Sequence, residues 1–378
     1  MQEMPRTIIY WLMFIAVGLI SGVLGPSLIY LSTLVQASVA EISVVFTARA
    51  MGNMLGAVIA GRMYDRVRGH SYLVLMLLLA FCSMWLVPYS TSLYVLLLVF
   101  FVVGFAEVSI NTGGNLMILW LHKDKAGSAV VLLHLCFSLG NMLAPLVLIF
   151  GGWLGDDYGM GYWLIALYTL IFPLLLWRQA SPVYERPVST KASQPFNKVF
   201  FGCFLSMAFL YVGFEITIAG WISTYAVLGG MTQTHAAVLV TWFFVALSFG
   251  RLISVPVLTL MSLTQTMLTL LCLCFFGTVV MLMTSLPLIA VALLLGLGCS
   301  AIFPLLFTFG NQAMSLTGKL TGYIFVCCGL GAMVVPSLTG PLIERFGAQI
   351  YPFILCLLSV ALFMAWLNLL RLKKSLAY

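Results

Sequence analysis

Glu107, Asn111 and Asn115 sit at intervals of four within a long apolar run, so a helix places them on one face. A short charged turn, His122 to Gly127, leads to a second apolar run, where His134, Ser138 and Asn141 form a similar stripe. An ionisable or amide side chain in such a run faces a bundle interior or a water-filled cavity and marks a functional site by default. Glu215 stands more isolated still, with no basic residue between Lys198 and Arg251. A lone carboxyl in apolar surroundings suits a carrier of protons or Na+, and its oxygens also suit the hydroxyl groups of a polar solute. The plainer alternative is a protonated carboxyl bonded to a backbone carbonyl. Glu107 has a prospective partner in Arg49, which falls about 8 residues, or roughly 12 Å, inside the second apolar run. Such a pair would be structural, or a gate whose pairing changes.

The elements that must position these residues are membrane helices. Of the 378 residues, 63% are hydrophobic and 7% are charged. Soluble domains carry about 25% charged residues. With a mean hydropathy of +1.14, the chain reads as an all-α polytopic membrane protein embedded in a lipid bilayer. The first apolar run, Ile8 to about Leu34, exceeds a signal-peptide core, so no cleavable leader is expected. The nine cysteines lie in apolar runs without metal-ligand spacing and read as packing residues. No nucleophile–base pair, metal-ligand set or phosphate loop is evident, so an enzyme is not expected and no cofactor is called for.

Twelve spans of about 20 apolar residues or more are expected at 7–34, 41–64, 70–89, 92–121, 127–150, 159–178, 198–229, 234–258, 263–284, 286–314, 318–342 and 348–371. With both termini cytoplasmic, all but Arg49 and Arg345 of the 17 basic residues fall on the cytoplasmic side. The net charge of +7 is therefore a topology signal, and nucleic acid is not an expected partner. The polar stretch around Pro182, Pro187 and Pro195 divides the chain into an N-terminal six-helix bundle (1–178), a linker (179–197) and a C-terminal six-helix bundle (198–378). Two short repeats support related halves. Gly61-Arg62 recurs as Gly250-Arg251, near the expected ends of spans 2 and 8. Leu139-Gly140-x-Met142-x-x-Pro145 recurs as Leu330-Gly331-x-Met333-x-x-Pro336, mid-way along spans 5 and 11.

This six-plus-six layout resembles the major facilitator transporters. The turn after span 2 resembles that family's loop motif at Gly61, Asp65, Arg66 and Gly69. Gly61 would let helices approach closely, and Asp65 could dock on a neighbouring helix N-terminus, latching the cytoplasmic side. Span 7 (YVGFEITIAGWISTYAV, Tyr211–Val227), span 10 (GCSAIFPLLFTFGNQ, Gly298–Gln312), NTGGN (Asn111–Asn115) and LLHLCFSLG (Leu132–Gly140) narrow the resemblance. Together they look like the fucose-galactose-glucose:proton symporter family, closest to its sodium-dependent glucose transporter-like branch. The resemblance covers essentially the whole chain. It departs in two places: Asn111 stands where that family often has a carboxylate, and span 1 carries no acid.

The resemblance implies import of a small neutral solute, a hexose-type sugar, by symport with H+ or Na+ through alternating access. Glu215 and Glu107 are then the ion-coupling candidates. Asn111, Asn115, His134, Trp221 and Asn311 are the sugar-ligand candidates, since amides match hydroxyls as donors and acceptors and an indole stacks on a pyranose. Arg49, Gly61, Asp65 and Arg66 are the gate or latch candidates. Pro304 is expected to free a carbonyl and bend span 10. A monomer in a plasma membrane, the inner membrane of a bacterium, is expected. Two alternatives stand beside this: an exporter of drugs or other amphiphiles, and a sugar uniporter or sensor without ion coupling.

Overall fold

Long apolar runs have one favourable backbone arrangement in lipid, a helix that satisfies its own N–H and C=O groups. The computed structural model bears this out. It describes residues 3–376 except 65, 67–68, 123–125, 156, 178, 183–196, 284–286 and 315–317. Span 1 is α1 (Glu3–Gly22) with α2 (Leu24–Leu34), followed by α3 (Val39–Tyr64), α4 (Gly69–Leu86), α5 (Leu93–His122), α6 (Ala126–Gly155) and α7 (Gly159–Leu176). The second half has α8 (Lys198–Leu228), α9 (Gln233–Leu260), α10 (Leu263–Met283), α11 (Leu288–Cys299) with α12 (Ile302–Met314) as span 10, α13 (Gly318–Phe346) and α14 (Ile350–Leu376). Twelve spans are long and apolar enough to cross a membrane, and no strand occurs among the described residues.

The halves repeat one packing scheme. In the first, α1 packs on α6, α3 on α5 and α4 on α7; in the second, α8 packs on α13, α9 on α11 and α10 on α14. The longer sequence repeat is the trace of one contact made twice. Gly140 lies against the backbone of Ile15 and Gly18 in α1, and Gly331 against the backbone of Phe209 and Gly213 in α8. Any side chain at either glycine would collide with main chain, so the close crossing requires glycine there. The shorter repeat does not mark equivalent places. Gly61 lies three residues from the end of α3, whereas α9 runs on to Leu260, leaving Gly250 and Arg251 well inside the helix. A side chain at Gly250 would crowd Ser300, while one at Gly61 would meet nothing within 4 Å. Gly61 thus makes no close helix approach in this state. Asp65, Lys123, Lys125 and most of the expected linker lie outside the described residues.

The halves meet through α3 on α13, α6 on α9, and α2 on α8. An even number of spans puts both termini on one face. Among the described residues, the hydrogen bonds joining the halves lie at mid-depth or toward the opposite face. The Ala40 N–H donates to Glu344 Oε2 at 2.7 Å, and Ser43 Oγ donates to the Ser337 carbonyl at 2.8 Å. The Thr47 and Ser337 hydroxyls pair at 2.7 Å, and Thr241 Oγ1 donates to the Met142 carbonyl at 3.1 Å. Gly25 packs on the carbonyl of Ala219. The N-terminus of α3 is fixed by a reciprocal capping box: the Ser38 N–H donates to Glu41 Oε2 at 2.8 Å, and the Glu41 N–H to Ser38 Oγ at 3.2 Å. The Glu344 carboxylate adds a further anion to that helix start, which the helix dipole favours. The molecule is therefore shut on the face away from its termini.

Candidate substrate and ion site

Both halves contain a broken span, and an arginine serves each break. Span 1 breaks at Val23, just before Pro26, and span 10 breaks at Ser300–Ala301, just before Pro304. Proline has no N–H, so the carbonyl four residues earlier loses its helical partner. In span 10 that carbonyl is Ser300, and Arg251 Nε donates to it at 2.9 Å. The Tyr211 hydroxyl donates to the adjacent Cys299 carbonyl at 2.8 Å. At the span 1 break the carbonyl that Pro26 frees is Gly22, and Arg49 serves the residue before it: Nη1 donates to the Ser21 carbonyl at 3.0 Å and Nη2 to Ser21 Oγ at 3.2 Å. Exposed carbonyls at membrane depth are tolerated when protein donors satisfy them in this way.

The expected Arg49–Glu107 pair forms. Nη2 and Nε of Arg49 both donate to Glu107 Oε2, at 2.7 and 3.1 Å, and Glu107 is only 8% exposed. Gly52 against the carbonyl of Phe101 and Gly104 against that of Arg49 bring α3 and α5 close enough to make the pair. The pair lines a cavity of about 130 Å³ between the halves, together with Ser21, Asn53, Asn141 and, from α8, Ile216 and Gly220. Phe46 caps it toward the closed face, where its ring lies 6.0 Å from that of Trp221.

Glu215 lies on α8 one turn from Tyr211, and its charge bears on that hydroxyl. Its carboxyl also lies near Cys299 and Cys328, and Arg251 bears on the same group of side chains. The acid of the second half thus sits against the mended break of span 10, and the acid of the first half sits beside that of span 1.

The other expected site residues are distributed less simply. Asn115 Nδ2 donates to the Asn111 carbonyl at 2.9 Å and to its Oδ1 at 3.1 Å, so these amides bond along α5 and do not line the central cavity. His134 is exposed, with the Phe14 ring edge-on at 6.2 Å, and is close enough to Arg251 to feel its charge. Asn141, from the same stripe, is buried and reaches the cavity, its Nδ2 donating to the Phe137 carbonyl at 3.1 Å. Trp221 is not open to a solute in this state. It is 0% exposed, and its indole N–H donates to the Pro336 carbonyl at 2.9 Å, behind the closing contact with Phe46. Asn311 is exposed on α12, away from the cavity. Arg66 is exposed in the turn after α3, where its N–H donates to the Met63 carbonyl at 3.1 Å.

Sequence reasoning missed Arg251, Tyr211 and Asn53. Each had a signal. Pro304 announces a free carbonyl at Ser300 that needs a donor, and Asn53 follows Arg49 by four residues on the same face.

Comparison with known proteins agrees with this architecture. Residues 10–336 match the Major Facilitator Superfamily. Sodium-dependent glucose transporter 1 of Xenopus laevis is 28% identical over 368 residues, covering 86% of this chain and 73% of that protein. A point-mutant form of the nucleoside transporter NupG superposes with a TM-score of 0.77 at 14% identity, covering 96% of this chain and 98% of the other. A bacterial homologue of the human lysosomal transporter Spinster, in an inward-facing and occupied conformation, superposes with a TM-score of 0.73 at 15% identity, over 99% and 96% of the two chains. Homologues and fold are those of membrane transporters, not of enzymes. Twelve spans in two alike halves, a polar cavity at their junction and a family match over most of the chain lead to one conclusion: this protein belongs to the Major Facilitator Superfamily.

Proposed function

We infer that the chain imports a small neutral solute, a hexose-type sugar, by symport with a cation. The observation that carries the reading is the central cavity itself. It holds one buried cation and one buried anion paired with each other, and its other polar side chains are amides and a hydroxyl. Such a lining offers no net charge to a ligand but several hydrogen bonds, which suits a polyol. The names of the sodium-dependent glucose transporter relatives point the same way.

In this reading the termini are cytoplasmic and the molecule is closed to the outside, open inward. The two six-helix bundles rock about the cavity, and the Glu344, Ser43 and Thr47 contacts separate when the outside opens. Glu215 carries the coupling ion, because of the two acids set deep in the spans, Glu107 and Glu215, it is the one with no salt bridge among the described residues. Inward passage of one positive charge through the membrane potential supplies about 2.3 kcal/mol per 100 mV toward accumulation. Expected residence is a bacterial inner membrane, as a monomer. The test is uptake of labelled hexoses into proteoliposomes under an imposed H+ gradient and, separately, a Na+ gradient. Accumulation above equilibrium under one gradient supports symport. Equilibration without accumulation under both points to a uniporter, and absence of any hexose flux in folded protein overturns the sugar assignment.

A further inference from the structure

Asn53 lies on α3 one turn from Arg49, on the same face and nearer the termini. It lines the central cavity with Glu107 and Asn141. Its Oδ1 is buried and has no hydrogen-bond partner among the described residues. Buried polar atoms nearly always have partners in native proteins, and an exception needs a reason. The neighbouring groups do not share this condition. Glu107 Oε2 takes two hydrogen bonds from Arg49, and Asn141 Nδ2 is bonded to the Phe137 carbonyl. Loose packing of α3 is not the cause. Gly52 sits against the Phe101 carbonyl, and Gly104 sits against the backbone of Arg49 and Asn53, so α3 is held at one depth and rotation on α5.

We propose that Asn53 is a specificity-determining residue that exchanges hydrogen bonds with a hydroxyl group of an uncharged polyol. This rests on the reading of the central cavity as the solute site. Arg49 and Glu107 cancel each other, so the cavity favours a neutral occupant. A side-chain amide presents an acceptor and two donors, and a hydroxyl is the common solute group that both donates and accepts. An amphiphile's apolar body would leave the amide bare, a deoxygenated sugar would leave it half-used, and a hydroxyl satisfies it. A site built to bond a hydroxyl rejects the analogue lacking it, because its own buried group is then unpaired.

The test compares wild type with Asn53→Ala, using glucose and its 2-, 3-, 4- and 6-deoxy analogues as competitors of labelled glucose in counterflow exchange. In wild type one deoxy analogue should bind about 10- to 100-fold more weakly than glucose. In Asn53→Ala, glucose should weaken by a similar factor while that analogue loses nothing further. Identical analogue ratios in the two proteins would overturn the proposal. A second arm needs no sugar: thermal unfolding of the purified proteins without ligand. Asn53→Ala breaks no side-chain hydrogen bond among the described residues, so its Tm should stay within about 2 °C of wild type. A fall of 5 °C or more would assign the amide to the structure and overturn the proposal. Lack of any glucose exchange in wild type would instead count against the sugar assignment, and the unliganded arm would still decide what Asn53 is for.

Discussion

Replacing Glu107 by Gln tests the Arg49–Glu107 pair in the half that faces the cavity. The substitution keeps the shape and one acceptor but removes the charge. Arg49 would retain the Ser21 carbonyl and hydroxyl but lose its anion, at a site where the two side chains are only 14% and 10% exposed. Removing one partner of a buried ion pair costs about 3–5 kcal/mol, because the other charge is left uncompensated. At about 2.1 cal/mol/K of unfolding entropy per residue, a chain of 378 residues has close to 0.8 kcal/mol/K, so 4 kcal/mol lowers Tm by about 5 °C. Arg49→Gln should cost about as much. The double variant, carrying two amides in the same place, should regain about a third of the summed loss, a coupling of about 2–3 kcal/mol. The assay is thermal unfolding of all four proteins in one detergent. Additive single losses, or a Glu107→Gln protein as stable as wild type, would refute the claim that the pair holds α3 to α5 through charge.

Three further outcomes follow from the same geometry. Arg251→Ala should lower thermal stability by about 1–3 kcal/mol by orphaning the Ser300 carbonyl, and adding Pro304→Ala should recover part of it by returning an N–H to that carbonyl. Glu344→Ala should increase the rate at which an impermeant maleimide labels Ser43→Cys, in a background without native cysteines, because the carboxylate ties α13 to the start of α3 across the closed face; unchanged labelling would show that the contact does not hold that face shut. Gly140→Val and Gly331→Val should each abolish folded yield, measured by size-exclusion profile, since each side chain would enter the main chain of the facing helix; a normal yield from either would contradict the close crossing.

Much of the fold was legible because membrane spans are written in composition. Their number and approximate bounds follow from apolar length, and the kinship of the halves follows from a motif used twice, whose glycine contacts only the structure shows. The Glu107–Arg49 pair was legible for a related reason: two opposite charges at similar depth in adjacent spans have few other partners. Arg251 was misjudged because a long side chain near a span end normally reaches the interface. Here α9 continues to Leu260, and the guanidinium turns inward to a carbonyl freed by Pro304 on another helix. Helical periodicity gives the face and depth of a residue but not its neighbour. That is why Asn111 and Asn115 were legible as sharing a face but not as bonding to each other. It is also why Trp221 could be read as a stacking platform when it is buried behind the closed contact. In the loop motif, a side chain at Gly61 would meet nothing within 4 Å, and Asp65 lies outside the described residues, so the motif's spacing alone named no partner helix.

The central claim is that Glu215 couples solute movement to a cation. Its most direct test is to compare Glu215→Gln with wild type in proteoliposomes in two modes: gradient-driven accumulation of labelled glucose, and counterflow exchange with no gradient. The account predicts that the variant, fixed in the neutral form, keeps exchange within a fewfold of wild type and loses accumulation entirely. Accumulation equal to wild type in the Glu215→Gln protein would contradict it and move the coupling role elsewhere in the cavity.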